Sequence, residues 1–400
     1  MFATRYIQNN IVYPPFIDEV VSQALSMIVM IPCLNEQEII RTLESVWKCE
    51  AIHSFCEVIV VVNDSERSSL EIKSINQETY RSLFAWKKEN DRKNLVLHPI
   101  YAPSVNAKFA GAGMARKIGM DEAIRRFNAI NRPDGVIVSL DADCLVSANY
   151  LKRIESEFLK NKACFGATIN FRHRMEEMED QKQKLGIQLY EDYLHYYKRA
   201  CDFTGFPNSI YTIGSAFAVR ADAYVKQGGM NRRQAGEDFY FLHKLTKLGT
   251  ITEITDAFVY PSARVSDRVP FGTGAAMTKW MNDTDDLALT YNFAAFRDLK
   301  QLFDRVDSLF GINPETYSKF TITLPVAIQE YLETLEFTAK LAEINQNSSS
   351  LASFRKRFFQ FFDGFIILRF LNLAHQKYYP RQNLSEAILQ LKEYSENVGS

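Results

Sequence analysis

The chain has 400 residues, enough for one large domain with an appendage or for two domains with ample core. Its 47 basic residues stand against 48 acidic ones, a net charge of -1 that excludes the strongly basic class of nucleic-acid or polyanion binders, so any anionic ligand must be met locally. Six cysteines, at 33, 49, 56, 144, 164 and 201, have no CxxC pair or metal-ligand spacing, which fits reduced thiols in a cytoplasmic protein, with Cys33 and Cys144 in the core and no disulfides.

In chain order, MIVMIP (27–32) predicts a buried strand that runs into NEQEIIRTLESVWK, where Ile39, Ile40, Leu43, Val46 and Trp47 share one helical face. Asn35, with Glu38 three residues on, predicts an N-terminal cap for that helix. EVIVVVND (57–64) predicts a second buried strand with a polar end, and NLVLHPI (94–100) a third. AKFAGAGMARKIGMDEAIRRFN predicts a helix carrying Met114, Ile118, Ile124 and Phe127, opened by Gly111 and Gly113, and VIVSL a fourth strand after it. SIYTIGSAFAVR (209–220) predicts a strand interrupted by Gly214, Ser215 and Ala216, small residues that let a ligand approach the backbone. Beyond a turn at Gly228-Gly229, AGEDFYFLHKLTKLG predicts a helix with Phe239, Leu242, Leu245 and Leu248 on its apolar face, and ITEITDAFVYPSARV resumes strand character.

Strands alternating with helices predict an α/β protein whose largely parallel sheet binds ligands beyond its strand C-terminal ends. Three predicted strands end in polar groups at that edge: Asn35 and Glu36, Asn63 and Asp64, then Asp141 and Asp143 in VIVSLDADCLV. One acidic strand end opens a turn as readily as it binds a ligand. Three at one edge, with Gly-Ala-Gly and Arg116-Lys117 in the neighbouring segment, describe a pocket for a phosphorylated, hydrogen-bonding ligand. Glu237 and Asp238 open a predicted helix, a position that also suits the helix dipole.

The ordered set PCLNE (32–36), VVND (61–64), GAGMARKIGMD (111–121), LDADC (140–144), GSAFAVRADAYVKQGGM (214–230) and GEDFYFLHKLTKLG (236–249) resembles glycosyltransferase family 2 over about residues 25 to 265. The resemblance implies the GT-A fold, a Rossmann-like, mixed and mainly parallel sheet flanked by helices, and transfer of a sugar from a nucleotide-diphospho-sugar, a UDP- or GDP-sugar, to an acceptor hydroxyl. It implies Asp143 as ligand of a divalent cation, Mg²⁺ or Mn²⁺, and Asp141 facing the metal or the ribose; hard carboxylate oxygens suit such an ion beside a departing diphosphate. By the same resemblance Pro32, Asn35, Glu36, Asn63 and Asp64 hold the nucleoside, with Asp64 accepting from the base, and Arg116 and Lys117 lie near the diphosphate. Lys117 stands where many relatives carry Asn. Gly214 and Ser215 line the donor sugar, Asp238 is the general base of an inverting reaction, and Glu237 orients the loop or the acceptor.

The QxxRW motif and membrane spans of processive synthases are absent, which favours a soluble, non-processive enzyme in the cytoplasm, free or peripheral to a membrane. The longest apolar stretches, such as 27–34 and 365–368, are too short to span a bilayer. Arg264 and Arg268, on PSARVSDRVPFGTGAAM, are candidates to close over the diphosphate or acceptor. His243 reads as a packed or surface residue. Two alternatives remain: a catalytically inactive nucleotide-sugar-binding protein of the same fold, and a sugar-phosphate nucleotidyltransferase, although the latter's Gly-rich, Arg-containing signature is replaced here by PCLNEQE. A dehalogenase-like phosphatase does not fit DADCLV on a fourth strand.

Residues 1–280 are read as the catalytic domain and 281–400 as a helical C-terminal region, with a polar break at NQNSSS (345–350). FRKRFFQFFDGFIILRFLNLA (354–374) is expected to pack on the catalytic domain; the alternative is contact with a membrane surface or lipid-linked acceptor. The tyrosines of YEDYLHYYKRA (190–200) either stack an acceptor sugar or half-bury on a helix. Whether the acceptor is a glycan, a lipid-linked group or a small molecule is not written in the sequence.

Overall fold

A computed structural model describes residues 1–232, 236–265 and 272–398. The elements run α1 (Thr4–Asn10), β1 (Leu25–Cys33), α2 (Ile39–Trp47), β2 (Phe55–Ser65), α3 (Leu70–Asn90), β3 (Leu95–Val105), α4 (Ala112–Ala129), β4 (Val136–Ser139), β5 (Leu145–Val146), α5 (Tyr150–Lys160), β6 (Gly166–Phe171) and α6 (Gln181–Phe203). There follow β7 (Phe217–Arg220), α7 (Ala221–Lys226), α8 (Glu237–Leu245), β8 (Thr252–Tyr260) and α9 (Thr273–Met281). Eight strands form one sheet in the order β3-β2-β1-β4-β7-β6-β8-β5. The pairs β1–β2, β2–β3, β1–β4 and β6–β8 are parallel, and β4–β7, β6–β7 and β5–β8 antiparallel, a mixed and mainly parallel α/β sheet flanked by helices.

Strand periodicity explains the layers. Met27, Val29, Ile31 and Cys33 point to one face of β1 and join Val58, Val60 and Val62 of β2, Leu43 of α2 and Ile154 of α5 in one buried cluster. Full burial of an aliphatic side chain contributes about 1.5–3 kcal/mol, so this continuous cluster anchors the sheet. The other face carries α4, which approaches closely because residue 119 is glycine: a Cβ there would lie 2.6 Å from Met30 Cγ and 3.0 Å from Val61 Cγ2. Glu57 and Arg126 form a buried ion pair on that same face. Pro32 lies inside β1, opposite Val61, as the predicted strand 27–32 has it. It is tolerated in a central strand because the β4 ladder ends at Met30–Ser139, so the missing N–H falls beyond the last pair on that side.

The chain divides into two compact units, Met1–Glu179 with Thr212–Thr278, and Asp180–Tyr211 with Lys279–Ser400. The sheet belongs to the first. The second is helical: α6, β9 (Leu289–Thr290), α10 (Phe293–Phe303), α11 (Pro314–Thr321), α12 (Val326–Thr334), α13 (Phe337–Gln346), α14 (Leu351–Phe361), α15 (Gly364–Lys377), β10 (Gln382–Asn383) and α16 (Leu384–Val398). The helical region is therefore not confined to residues after 280. Tyr196, Ala200 and Cys201 of α6 belong to the same buried cluster as Phe296 and Leu299, which takes α6 out of the sheet unit; this is the half-burial alternative for its tyrosines.

FRKRFFQFFDGFIILRFLNLA is two helices and not one amphipathic stretch. The chain breaks at Phe362, and the Asp363 carboxylate caps α15 by accepting from the N–H groups of Phe365 and Ile366, each at 3.0 Å. Phe354, Phe358, Phe362, Ile367, Phe370 and Leu371 fill the core of this second unit itself. Among the described residues no helix is long and apolar enough to cross a membrane.

Candidate functional site

The C-terminal edge of the parallel strands collects the polar groups, and each is placed by a local reason. At the end of β1, Asn35 adopts a left-handed conformation with φ 48°. It does not cap α2: its N–H donates to Asn76 Oδ1 at 2.9 Å, and the helix starts at Ile39 with no side-chain cap. Asn76, fully buried on α3, also donates from Nδ2 to the Asn63 carbonyl at 3.0 Å, tying the β1 loop to the end of β2. Beyond that tie, both side-chain polar atoms of buried Asn63 and the Oδ2 of buried Asp64 have no hydrogen-bond partner; Asp64 Oδ1 accepts from Ser104 N at 2.7 Å. Buried polar atoms left unpaired cost about 1–3 kcal/mol each, and a hydrogen-bonding ligand at this strand end would offset that cost.

After β4 the chain turns sharply, with Cys144 N donating to the Asp141 carbonyl at 3.1 Å, and Thr42 of α2 pins the turn through its hydroxyl to the Ala142 carbonyl at 2.7 Å. Asp141 and Asp143 thus leave the sheet side by side, with side chains 35% and 28% exposed. Asp141 pairs with Arg116, whose other terminal nitrogen pairs with Glu237 at the start of α8. Burial opposes the Arg116 charge, but the carboxylates of Asp141, Glu237 and Asp238 outweigh it and hold the guanidinium firmly protonated. Asp143 accepts from Arg264 at 3.2 Å, and Arg264 is forked onto the buried Glu36 carboxylate. Burial, then the nearby Asp141 charge, pushes the Asp143 carboxyl up to about 6, against the opposing pull of Arg264.

Gly214 explains how these segments fit together. A Cβ on it would lie 2.6 Å from Arg116 Nη2 and 2.9 Å from Asp238 Oδ2, so only glycine lets β7's approach segment touch both. Its carbonyl accepts from the Ser139 hydroxyl at 2.7 Å, which locks the segment to the end of β4. The Asp238 carboxylate accepts from the Phe239 N–H at 2.7 Å and makes no ion pair among the described residues. Burial, then the Glu237 charge, raises its pKa above the usual carboxylate range to about 6, with Arg116 opposing.

Several expected site residues lie elsewhere. Lys117 sits on α4 next to Arg116, but adjacent helical residues diverge by about 100°, and its ammonium pairs with buried Asp121 at 2.8 Å. Asp121 is also held by the hydroxyls of Tyr6 and Tyr224, at 2.7 and 3.0 Å, so this is an internal network that anchors α1 on α4. Ser215 is buried at 3% exposure, close enough to the Cys144 thiol to oppose the rise in pKa that burial causes there. Arg268 lies outside the described residues. Three site residues carry no motif and escape sequence reasoning: Asn76, Thr42, and Arg174 just after β6, which donates from Nη2 to the Asp143 carbonyl at 3.2 Å.

Five carboxylates, of Glu36, Asp141, Asp143, Glu237 and Asp238, face three guanidiniums, of Arg116, Arg174 and Arg264. Among the described residues no group of three or more His, Cys, Asp or Glu converges as a ligand set, so the side chains alone do not close a metal cage. Asp143 and Asp141 do fit the open arrangement of Mg²⁺, which takes one or two carboxylates and leaves its other positions to phosphate oxygens and water.

Fold and site together define a class: an α/β protein with a carboxylate–guanidinium cluster at the strand ends, where such sheets bind nucleotides. No protein-family model matches the chain, and no curated protein matches it. Among solved structures it is similar to S. aureus TarS 1–349 in complex with UDP-GlcNAc, with 14% identity, 84% of this chain and 90% of that chain covered, and a TM-score of 0.42. It is also similar to the mannosyltransferase PcManGT from Pyrobaculum calidifontis in complex with GDP-Man and Mn²⁺, with 13% identity, 87% and 93% covered, and a TM-score of 0.37. A third is glucosyl-3-phosphoglycerate synthase from Mycobacterium tuberculosis with Mn²⁺, UDP-Glc and phosphoglyceric acid, with 13% identity, 66% and 82% covered, and a TM-score of 0.37.

Proposed function

We propose that the protein is a non-processive glycosyltransferase that moves a sugar, with inversion, from a UDP- or GDP-sugar to an acceptor hydroxyl. One observation carries the reading: among the described residues four of the five clustered carboxylates form ion pairs with guanidiniums, and Asp238 does not. A carboxylate with no ion pair among the described residues, held by a backbone N–H and raised in basicity, is suited to take a proton. In the reaction the acceptor oxygen attacks the anomeric carbon, its proton passes to Asp238, and the bond from that carbon to the phosphate oxygen breaks. The electron pair leaves with the nucleoside diphosphate.

Glu237 orients Arg116, which in turn holds Asp141 beside the donor. Asn63 and Asp64 offer their unpartnered atoms to the nucleoside, and Gly214 lets Arg116 and Asp238 pack together over its backbone, beside which the donor sugar would lie. Asp143, with Asp141 facing it, would hold Mg²⁺ or Mn²⁺, which when bound neutralises charge on the diphosphate.

Calorimetric titration with UDP and GDP, with and without Mn²⁺, tests the binding half of the reading. One nucleotide should bind in a metal-dependent way and lose that dependence in Asp143→Ala. Asp238→Asn should bind it as the wild type does yet fail to turn over the matching sugar nucleotide. Absence of binding by either nucleotide under all metal conditions refutes the proposal; normal turnover by Asp238→Asn refutes the assignment of the base.

A further inference from the structure

Arg174 is the guanidinium of the cluster that the chain leaves least occupied. Its side chain is 11% exposed, and among the described residues its one side-chain hydrogen bond goes to a backbone carbonyl, that of Asp143. Its nearest carboxylate, Glu177, is already gripped by both terminal nitrogens of Arg41 and stays 3.6 Å from Arg174 Nε, too far for a hydrogen bond. Nε and Nη1 of Arg174 are therefore buried without a hydrogen-bond partner. Arg264, which meets the same Asp143 from its carboxylate side, also has a buried Nε without one.

Two planar forks thus converge on one aspartate, each with buried N–H groups unspent. A buried guanidinium retained in that condition is matched by an acceptor with several oxygens, and phosphate oxygens fit its fork geometry. We propose that Arg174 binds the diphosphate of the donor through Nε and Nη1, with Arg264 beside it, and stabilises the leaving group as its charge develops. This rests on the reading of a nucleotide-diphosphate donor. It adds a residue that no motif marks, carried by the turn after β6 and brought to Asp143 only by the fold.

The test is calorimetry with inorganic pyrophosphate, a nucleoside diphosphate and the bare nucleoside, each in chelator and in Mg²⁺, on wild type, Arg174→Gln, Arg174→Lys and Arg172→Gln. Arg172 is the exposed neighbour, set over the Tyr260 ring at 5.9 Å, and serves as the control. Arg174→Gln should weaken pyrophosphate and nucleoside diphosphate by about ten-fold or more while leaving the nucleoside unchanged, as expected for a lost charge-assisted fork. Arg174→Lys should recover part of the affinity, and Arg172→Gln should match wild type.

Wild-type affinity for pyrophosphate in folded Arg174→Gln overturns the inference; if that variant does not fold, unaltered affinity in Arg174→Lys does so. The two readings can fail separately. Wild type that binds pyrophosphate through Arg174 but binds no nucleoside diphosphate leaves this anion site standing and removes the sugar-nucleotide reading. Wild type that turns over a sugar nucleotide equally well with Arg174→Gln does the reverse.

Discussion

Gly214→Ala is the most direct probe of how the site is assembled. The added Cβ would meet Arg116 Nη2 at 2.6 Å, Arg116 Cζ at 2.9 Å and Asp238 Oδ2 at 2.9 Å, all inside normal contact. Arg116 has nowhere to retreat at low cost, because it is buried and fixed by Asp141 on one side and Glu237 on the other. Overpacking of this kind costs about 1–3 kcal/mol, which should appear as a lowered Tm. The larger effect should be on function, since a displacement near 1 Å of a reacting group costs on the order of 100-fold in rate. The control is Gly166→Ala on β6, where a Cβ finds its nearest neighbours at 3.6 Å and 3.7 Å, ordinary contact distances. Thermal denaturation, nucleotide titration and donor turnover on both variants decide the matter. If Gly214→Ala matched Gly166→Ala in Tm and turnover, the close packing of Arg116, Gly214 and Asp238 would not be what shapes the site.

Arg116→Gln should destabilise the fold by about 3–5 kcal/mol, because it strands the paired carboxylates of Asp141 and Glu237; chemical denaturation checks this, and restoring Glu237→Gln in the same chain should recover part of the loss. Asn76→Ala should lower Tm and weaken nucleotide binding together, since it unties the Asn35 N–H from the Asn63 carbonyl, at about 1–3 kcal/mol per buried group left unpaired. The acid limb of the rate profile should lie well above pH 4, where an ordinary aspartate titrates, because Asp238 must be ionised to act and its pKa is raised, as is that of Asp143, to about 6. The sign for stability is opposite. A carboxylate whose folded value is raised favours the folded state below its unfolded value and loses that contribution as pH rises through about 6, so metal-free protein should lose stability over that window, and Asp143→Asn should lessen the loss.

Part of this architecture is local and therefore legible in the residues themselves. Continuous apolar runs mark β1, β2 and β4, and the 3.6-residue period marks α2 and α8, without knowledge of their partners, and an Asp pair at the end of an apolar run announces a strand that emerges into a polar edge. Other features depend on which surfaces meet. Asn35 and Glu38 look like a helix cap, but the buried amide of Asn76 claims Asn35 across 41 residues. Lys117 looks like a partner of Arg116 in the site, but helical rotation turns it to Asp121 under α1.

The sequence by itself determined the alternating α/β order, the strand-end placement of Asp141 and Asp143, and the helix start at Glu237 and Asp238, because these follow from backbone periodicity and burial along a short segment. Only the tertiary structure decided that Arg116 spans Asp141 and Glu237, that Arg264 spans Glu36 and Asp143, that Arg174 joins them, and that α6 belongs to the helical unit. The physical reason is one of range. A charge finds its counter-charge, and an apolar face its cover, across separations of up to 228 residues, and nothing in the local pattern records which of several candidates the folded sheet brings within 4 Å.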